Sequence, residues 1–341
     1  MLLSCIGKTA LHYDGDNERV RQFSTEYVDD PVTLHQLLSH ANDFADHHGA
    51  TRIVVRALTN QNLLLSAATL AASLCYRLES IIVVGSDFAG YSLVTYARNL
   101  TTRFSNSSVV LQQQQMLFDV RNAPKRGSDR DLMVKVKAAG FRVERLKGER
   151  LDADHQDLAT MISSSLQEEP SAFRDEIAVL LRDPEKYTVV ALRSEDTGRL
   201  HGMCASERKN IAMRNGRTLR LAEKAWAVKN HHADGENQRG LTAILHLALQ
   251  LDAYRQRTHV LFAESRSALV AINRINHCAG MRAGGMLEKH VTIGGDEDVP
   301  EGQSDRHSMY RNMNVWFINH DELGRVGPHL AALLEPAGVV S

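Results

Sequence analysis

A chain of 341 residues is long enough for two domains with cores of ordinary size, and its four cysteines (Cys5, Cys75, Cys204 and Cys278) are too few and too widely spaced for a disulfide scaffold. Forty basic residues stand against forty-one acidic ones, a balance that asks for neither nucleic acid nor an anionic membrane as partner. No apolar run approaches the roughly 20 residues of a spanning helix, and no basic segment precedes the first apolar residues, so the expectation is a cytoplasmic protein with reduced thiols.

The first clear periodicity begins after Asp29-Asp30-Pro31, where Leu34, Leu37, Leu38, Ala41 and Phe44 recur at helical steps. A helix over Pro31 to His48 is predicted, stopped by Gly49 and followed by a strand, RIVVRAL (Arg52 to Leu58). Asn62 to Cys75 then reads as helix, Leu78 to Gly85 as strand and Tyr91 to Arg103 as helix, an alternation that suggests an α/β layer. VVLQQQQMLFDV is read as a strand, and NAPKRGSDR (Asn122 to Arg130) as an exposed connection. A boundary near residue 130 divides the chain into an N-terminal module, 1–130, and a C-terminal one, 131–341.

Beyond that connection FRVERL (Phe141 to Leu146) is a strand candidate, followed by two amphipathic helices, Asp154 to Leu166 and Ser171 to Arg182. Strands follow at Tyr187 to Leu192, Arg199 to Ser206 and Leu219 to Val228. Thr242 to Arg255 is an apolar helix, His259 to Ala263 a short buried strand and Ser267 to Cys278 a helix. Two strands, Gly285 to Ile293 and Met313 to Ile318, close the series, with GGDEDVPEGQSD as a mobile insertion between them. The order is β-α-α-β-β-β-α-β-α-β-β, and three strands in succession exclude a doubly wound nucleotide fold.

Ahead of the helix at Thr242 stands NQRGLTAIL. Successive amides at a helix start, with Gly240 removing a side chain, suit an anion. The strand order together with this loop resembles the GNAT acetyltransferase fold, in which a Q/RxxGxG/A loop holds the coenzyme A pyrophosphate. The resemblance implies a GNAT-like mixed α/β sheet with flanking helices, preceded by a smaller α/β module that is a candidate degenerate copy of it. It assigns Val228, Gln238, Arg239, Gly240, Leu241 and Thr242 to acetyl-CoA, with Asn237 and Thr242 departing from the usual pattern. Asn273 is similar to the asparagine that meets the pantetheine arm. AESR (Ala263 to Arg266), Asn273 seven residues before Gly280, Gly285 followed by Leu287, and MNVW (Met313 to Trp316) further resemble beta-lysine N-acetyltransferases. That likeness implies a small amino acid as acceptor and transfer by direct attack in a ternary complex.

Such transfer needs a base, oriented donors and a proton for the departing thiolate. Glu223, in LRLAEKAWAV, is the first choice for the base, with binding of the substrate ammonium or a simple lysine pair as alternatives. Glu264 and Arg266, at the end of the strand HVLFA, are candidates for the acceptor amine and for a carboxylate or phosphate, or else a structural ion pair. Asn314 and Trp316 share one face of their strand and are expected to shape the acceptor pocket, unless the tryptophan stacks on a helix. Asn276 stands where many GNATs carry an acidic tyrosine, so Tyr310 and Cys278 are the remaining candidates for the acid. Sixteen histidines include the adjacent pairs His47-His48 and His231-His232 but no HExxH or HxxxH, so no metal is expected. The N-terminal module, with no convincing phosphate loop, is expected to cover the acceptor pocket or to support a homodimer. The rival reading is a non-catalytic acyl-CoA-binding or regulatory protein.

Overall fold

The computed structural model describes residues 3–6, 9–15, 17–101, 107–124, 129–146, 154–165, 183–213, 215–229, 241–292 and 310–334. The N-terminal half runs β1 (Leu3–Ile6), β2 (Thr9–Asp14), β3 (Arg19–Val28), α1 (Pro31–His48), β4 (Arg52–Asn60), α2 (Leu64–Ser73), β5 (Arg77–Val83) and β6 (Tyr91–Asn99). Two helices follow, α3 (Ser107–Asn122) and α4 (Asp129–Ala138). The C-terminal half continues with β7 (Phe141–Leu146), α5 (His155–Ser165), β8 (Tyr187–Ser194), β9 (Leu200–Ala212), β10 (Thr218–Lys229), α6 (Leu241–Arg255) and β11 (Val260–Arg266). It ends with α7 (Val270–Cys278), β12 (Arg282–Thr292), β13 (Tyr310–Asn319) and α8 (His320–Leu334).

All the described strands lie in one mixed sheet, in the order β1-β2-β3-β4-β6-β5-β12-β13-β11-β10-β9-β8-β7. Read inward from either end, omitting β7, the two halves have the same pairing scheme: two antiparallel steps, one parallel step (β3–β4 and β10–β11), then two antiparallel steps. The likeness extends to single hydrogen bonds. Ala50 N–H bonds Ala45 O as Thr258 N–H bonds Ala253 O, Thr51 bonds Glu18 as His259 bonds Arg220, and Leu100 bonds Thr51 as His320 bonds His259. Cys75 (φ 64°) and Gly280 (φ 80°) turn the chain out of α2 and α7 in the same way, and Tyr76 N–H and Met281 N–H then bond Ala71 O and Asn276 O.

The halves meet at their β5 and β12 edges, where Gly285 pairs with Ser80. Each follows a one-residue irregularity in its own strand, between Leu78 and Ser80 and between Ala283 and Gly285. Ser80 and Gly285 therefore occupy corresponding positions, and the junction pairs a residue with its own counterpart. The crossing is tight: a Cβ on Gly285 (φ 142°) would lie 2.1 Å from Glu79 O and 2.8 Å from Ser80 Cα. Gly285→Ala is expected to cost at least about 2 kcal/mol, seen as a lowered midpoint in urea unfolding.

Curvature brings the inner faces of the two half-sheets together. Leu58, Ile82 and Leu93 from the first share a buried cluster with Ile211, Leu219, Phe262, Val315 and Phe317 from the second. Each such side chain contributes about 1.5–3 kcal/mol of transfer free energy. The outer face of the N-terminal half is covered by α1 and α2. That of the C-terminal half is covered by α6 and α8, together with α4 near β7 and α3 beside Trp316.

Two expectations need correction. Tyr91–Asn99 is a strand: Leu93, Val94, Tyr96 and Ala97 are buried on both faces, and such a run carries no period that separates strand from helix. VVLQQQQMLFDV is the body of α3, which turns Met116, Leu117 and Val120 toward the core. Helix α3, which belongs to the expected 1–130 module, packs against the C-terminal half. Strands β1 to β3 and helix α8 were not anticipated. Gly324, Gly327 and Pro328 mask α8, yet Gly327 is required there, since a Cβ would lie 2.3 Å from the Tyr254 ring. The helix expected at Ser171 to Arg182 and the insertion GGDEDVPEGQSD lie outside the described residues.

Candidate active site

Strands β10 and β11 pair in parallel only from Leu221–Val260 to Lys224–Ala263, although β10 continues to Lys229 and β11 to Arg266. The cause is local: an irregularity between Lys224 and Trp226 keeps β10 in register with β9, while β11 stays with β13. The two strands cease to pair with each other from this point. Their counterparts behave differently, for β3 and β4 also have an irregularity but pair again at Tyr27–Leu58 and Val28–Thr59. The N-terminal half is closed at the helix start as well. Asp30 caps α1, accepting from Thr33 N–H at 2.8 Å and Thr33 Oγ1 at 2.6 Å, and Pro31 removes an amide, so a carboxylate already sits where an anion would bind.

Glu223 and Glu264 stand on the inner face at the parting, with Phe262 between them. Opposite them the N-terminal half presents Arg56 of β4, which pairs with Glu264, lies 4.0 Å from Glu223 and rests 5.2 Å above the Phe262 ring. Lys209 of β9 also pairs with Glu223, and His290 Nε2 lies 3.2 Å from Glu264. The pairing registers make Arg56 and Arg21 the counterparts of Glu264 and Glu223: Arg56 faces Thr95 as Glu264 faces Val315, and Arg21 faces Val54 as Glu223 faces Phe262. The acidic pair of one half thus meets the basic pair of the other. Burial pushes the Glu223 carboxyl up, but Lys209, Arg56 and Arg21 outweigh it and hold the group below its ordinary range. For Glu264, burial is likewise outweighed, by Arg56, His290 and Arg21, leaving it well below that range. Both carboxylates are ionised, and side-chain exposures of 10% and 11% keep them from bulk water.

The outer face of the same strands carries a second polar group. Lys224 points between α6 and α7, 3.0 Å from His246 Nδ1 and 2.6 Å from Asn276 Oδ1. Asn276 in turn donates to Ser265 Oγ at 2.8 Å. Burial lowers the lysine to about 8, and it holds His246 neutral, well below the usual histidine range, with Lys224 adding to the effect. Sequence reasoning missed Arg56 and Lys224. Arg52 and Arg56, both buried in an otherwise apolar strand, were a usable signal for the first, because a buried charge demands a partner.

Several predicted residues serve the interior instead of a ligand. Asn273 is fully buried and its side chain is fully engaged: Nδ2 donates to Arg266 O and Leu269 O, and Oδ1 accepts from Asn314 Nδ2 and Trp316 Nε1. It locks α7 to β11 and β13 and has no capacity left for pantetheine. Trp316 and Asn314 lie on the helix side, Trp316 packed with Ala222, Ala263 and Met281, so neither shapes an acceptor pocket beside Glu223. Tyr310 is buried and donates to Glu18 Oε2 at 2.7 Å. It stands five residues along β13 from Val315, the partner of Glu264, or roughly 17 Å at about 3.4 Å per residue, too far to serve as the acid at Glu223. Arg266 is half-buried on the Glu264 face. Gln238, Arg239 and Gly240 lie outside the described residues, while Val228 is the penultimate residue of β10, and Leu241 and Thr242 open α6. A pocket of about 560 Å³, lined by Asp87, Arg220, Tyr254, Arg255, Arg257, His259 and His320, opens near the start of β11 and contains none of the predicted residues.

No protein-family model matches the chain, and no curated protein matches it. Solved structures similar to about half of it include an N-acetyltransferase from Staphylococcus aureus Mu50, at 12% identity over 53% of this chain and 98% of that one, with a TM-score of 0.38. A spermidine N-acetyltransferase from Vibrio cholerae, in complex with CoA and spermine, is 15% identical over 54% and 98%, with a TM-score of 0.37. An aminoglycoside 6'-acetyltransferase type Ii is 10% identical over 52% and 96%, with a TM-score of 0.37. Among the described residues no helix is long and apolar enough to cross a membrane, and no group of three or more histidine, cysteine, aspartate or glutamate side chains is arranged to hold a metal.

Proposed function

We propose that the chain is a GNAT-type N-acetyltransferase that moves an acetyl group from acetyl-CoA to the primary amine of a small molecule, a beta-lysine-like amino acid, by direct attack in a ternary complex. The observation that carries this reading is the parting of β10 and β11 directly beside the buried Glu223–Glu264 pair. Strands that part lay open main-chain groups with which an extended pantetheine arm can pair. Val228, the penultimate residue of β10, and the opening turn of α6, with Leu241 and Thr242, would hold the cosubstrate, whose phosphates suit a helix start. Glu223 and Glu264 draw in the ammonium, and Glu223 takes its proton through water before the neutral amine attacks the thioester carbonyl. Arg56 and Arg21, facing the same acids, supply cations for a carboxylate. A site with both signs of charge suits an amino acid better than a polyamine, and it draws one residue pair from each half of the chain.

Thiol release from acetyl-CoA, measured with beta-lysine, lysine, polyamines and aminoglycosides, tests the proposal. Acceptor-dependent turnover that falls at least tenfold in Glu223→Gln is the expected result. A second reading, acyl-CoA binding without transfer, is favoured by the engagement of Glu223 with Lys209 and Arg56. Binding of acetyl-CoA with no turnover across the panel would select it.

A further inference from the structure

Lys224 is a buried cation without a carboxylate partner among the described residues. Its ammonium has three protons, and its contacts there are two, His246 Nδ1 and Asn276 Oδ1. His246 Nε2, also buried, has no hydrogen-bond partner. An isolated buried charge is expensive, and a structural role would be met more cheaply by an apolar side chain. Its place on the strands is equally specific. Lys224–Ala263 is the last pair before β10 and β11 separate, so the amine lies at the head of the opening, on the face opposite Glu223.

We propose that Lys224 is the catalytic acid of the acetyl transfer, giving its proton to the coenzyme A thiolate as the tetrahedral intermediate collapses. The inference rests on the acyltransferase reading above. Attack by the neutral amine forms the C–N bond, the attacking nitrogen gives up its remaining extra proton to solvent, and collapse breaks the C–S bond, whose electron pair stays on sulfur. Sulfur then takes a proton from the ammonium, leaving a neutral Lys224 amine that regains a proton from solvent after the thiol departs. Asn276 Oδ1 aims the ammonium and is itself fixed by Ser265, while Nδ1 of neutral His246 accepts a second hydrogen bond from it. This assigns a role to Asn276 without asking an amide to act as an acid.

The groups facing Lys224 are His246 of α6, Asn276 of α7 and Cys204 of β9. Burial pushes the Cys204 thiol up to about 12, so it stays neutral, and His246 is neutral too. Among the described groups at this place the amine itself is therefore the one that titrates, with an ordinary value of 10.5 brought to about 8 by burial.

The test is the pH dependence of kcat in the native protein and in Lys224→Met. The native kcat is expected to fall above pH about 8, as Lys224 loses its proton. Lys224→Met is expected to lower kcat at least thirtyfold with KM for acetyl-CoA unchanged within threefold, and to abolish that alkaline fall. A cooperative thermal transition in the variant shows that it is folded, and Lys224→Gln, which keeps a donor but has no transferable proton, should share the loss. Either variant retaining kcat within threefold, or an unchanged alkaline limb, overturns the proposal while leaving the acyltransferase reading intact. Failure of the native protein to turn over any amine overturns both.

Discussion

Arg56→Met is expected to lower the stability of the whole protein by about 3–5 kcal/mol, measured by urea unfolding at pH 7, because it removes the central cation from two buried carboxylates. The loss is one of compensation: Lys209, Arg21 and His290 remain, but Glu264 is left buried with only a neutral histidine in direct contact. Removing the acid together with the base should relieve most of it. Arg56→Met/Glu264→Leu is expected to be more stable than Arg56→Met alone, and additive losses would show that the two side chains are not coupled. Acid unfolding offers a second reading of the same pair. Glu264 is depressed below its ordinary 4.5, so its contribution is present above that value and is lost as the pH falls through the lower, folded one. In Arg56→Met the depression shrinks, and unfolding by acid should begin at higher pH.

The same pair explains how much could be read from the chain. The C-terminal half was legible because its elements alternate between clear patterns: an apolar helix at Thr242, a short buried strand at His259, and strand candidates in the right order. The N-terminal half was partly hidden because its strands run through polar sequence. RVRQFSTEYV carries few apolar residues, and yet β3 is held between β2 and β4 with Arg19 buried against Asp14 at 2.9 Å and the His290 carbonyl at 2.7 Å. A strand whose partners are charges from the other half has no alternation to display. Glu223 and Glu264 could be singled out by their neighbours in sequence, but the arginines opposite them are about two hundred residues away, and only the curvature of the sheet brings them there. Asn273 illustrates the reverse error. A polar residue on an apolar helix signals a specific hydrogen bond, and the sequence does not say whether the partner is a ligand or, as found, Trp316 and Asn314.

Lys224→Met is expected to raise stability while it removes turnover, a combination that packing alone does not produce. Lowering a lysine from 10.5 to about 8 corresponds to about 3 kcal/mol of destabilisation at neutral pH, since each pH unit is worth about 1.4 kcal/mol. Methionine has nearly the same length, leaves Asn276 free to keep its bond to Ser265, and adds no charge to the space between α6 and α7. Unfolding free energy at pH 7 is therefore expected to rise by about 2–3 kcal/mol. The sign can be checked across the alkaline range. The unfolded chain holds the lysine proton up to about 10.5 and the folded one only to about 8, so between these values the native protein gains stability as the pH rises, relative to Lys224→Met, and the difference between the two closes. A variant that is instead less stable than the native protein at pH 7, with a gap unchanged between pH 7 and 10, would make Lys224 a hydrogen-bonding element of the core. Retention of a destabilising charge at the point where the strands separate is the expected signature of a residue kept for its proton.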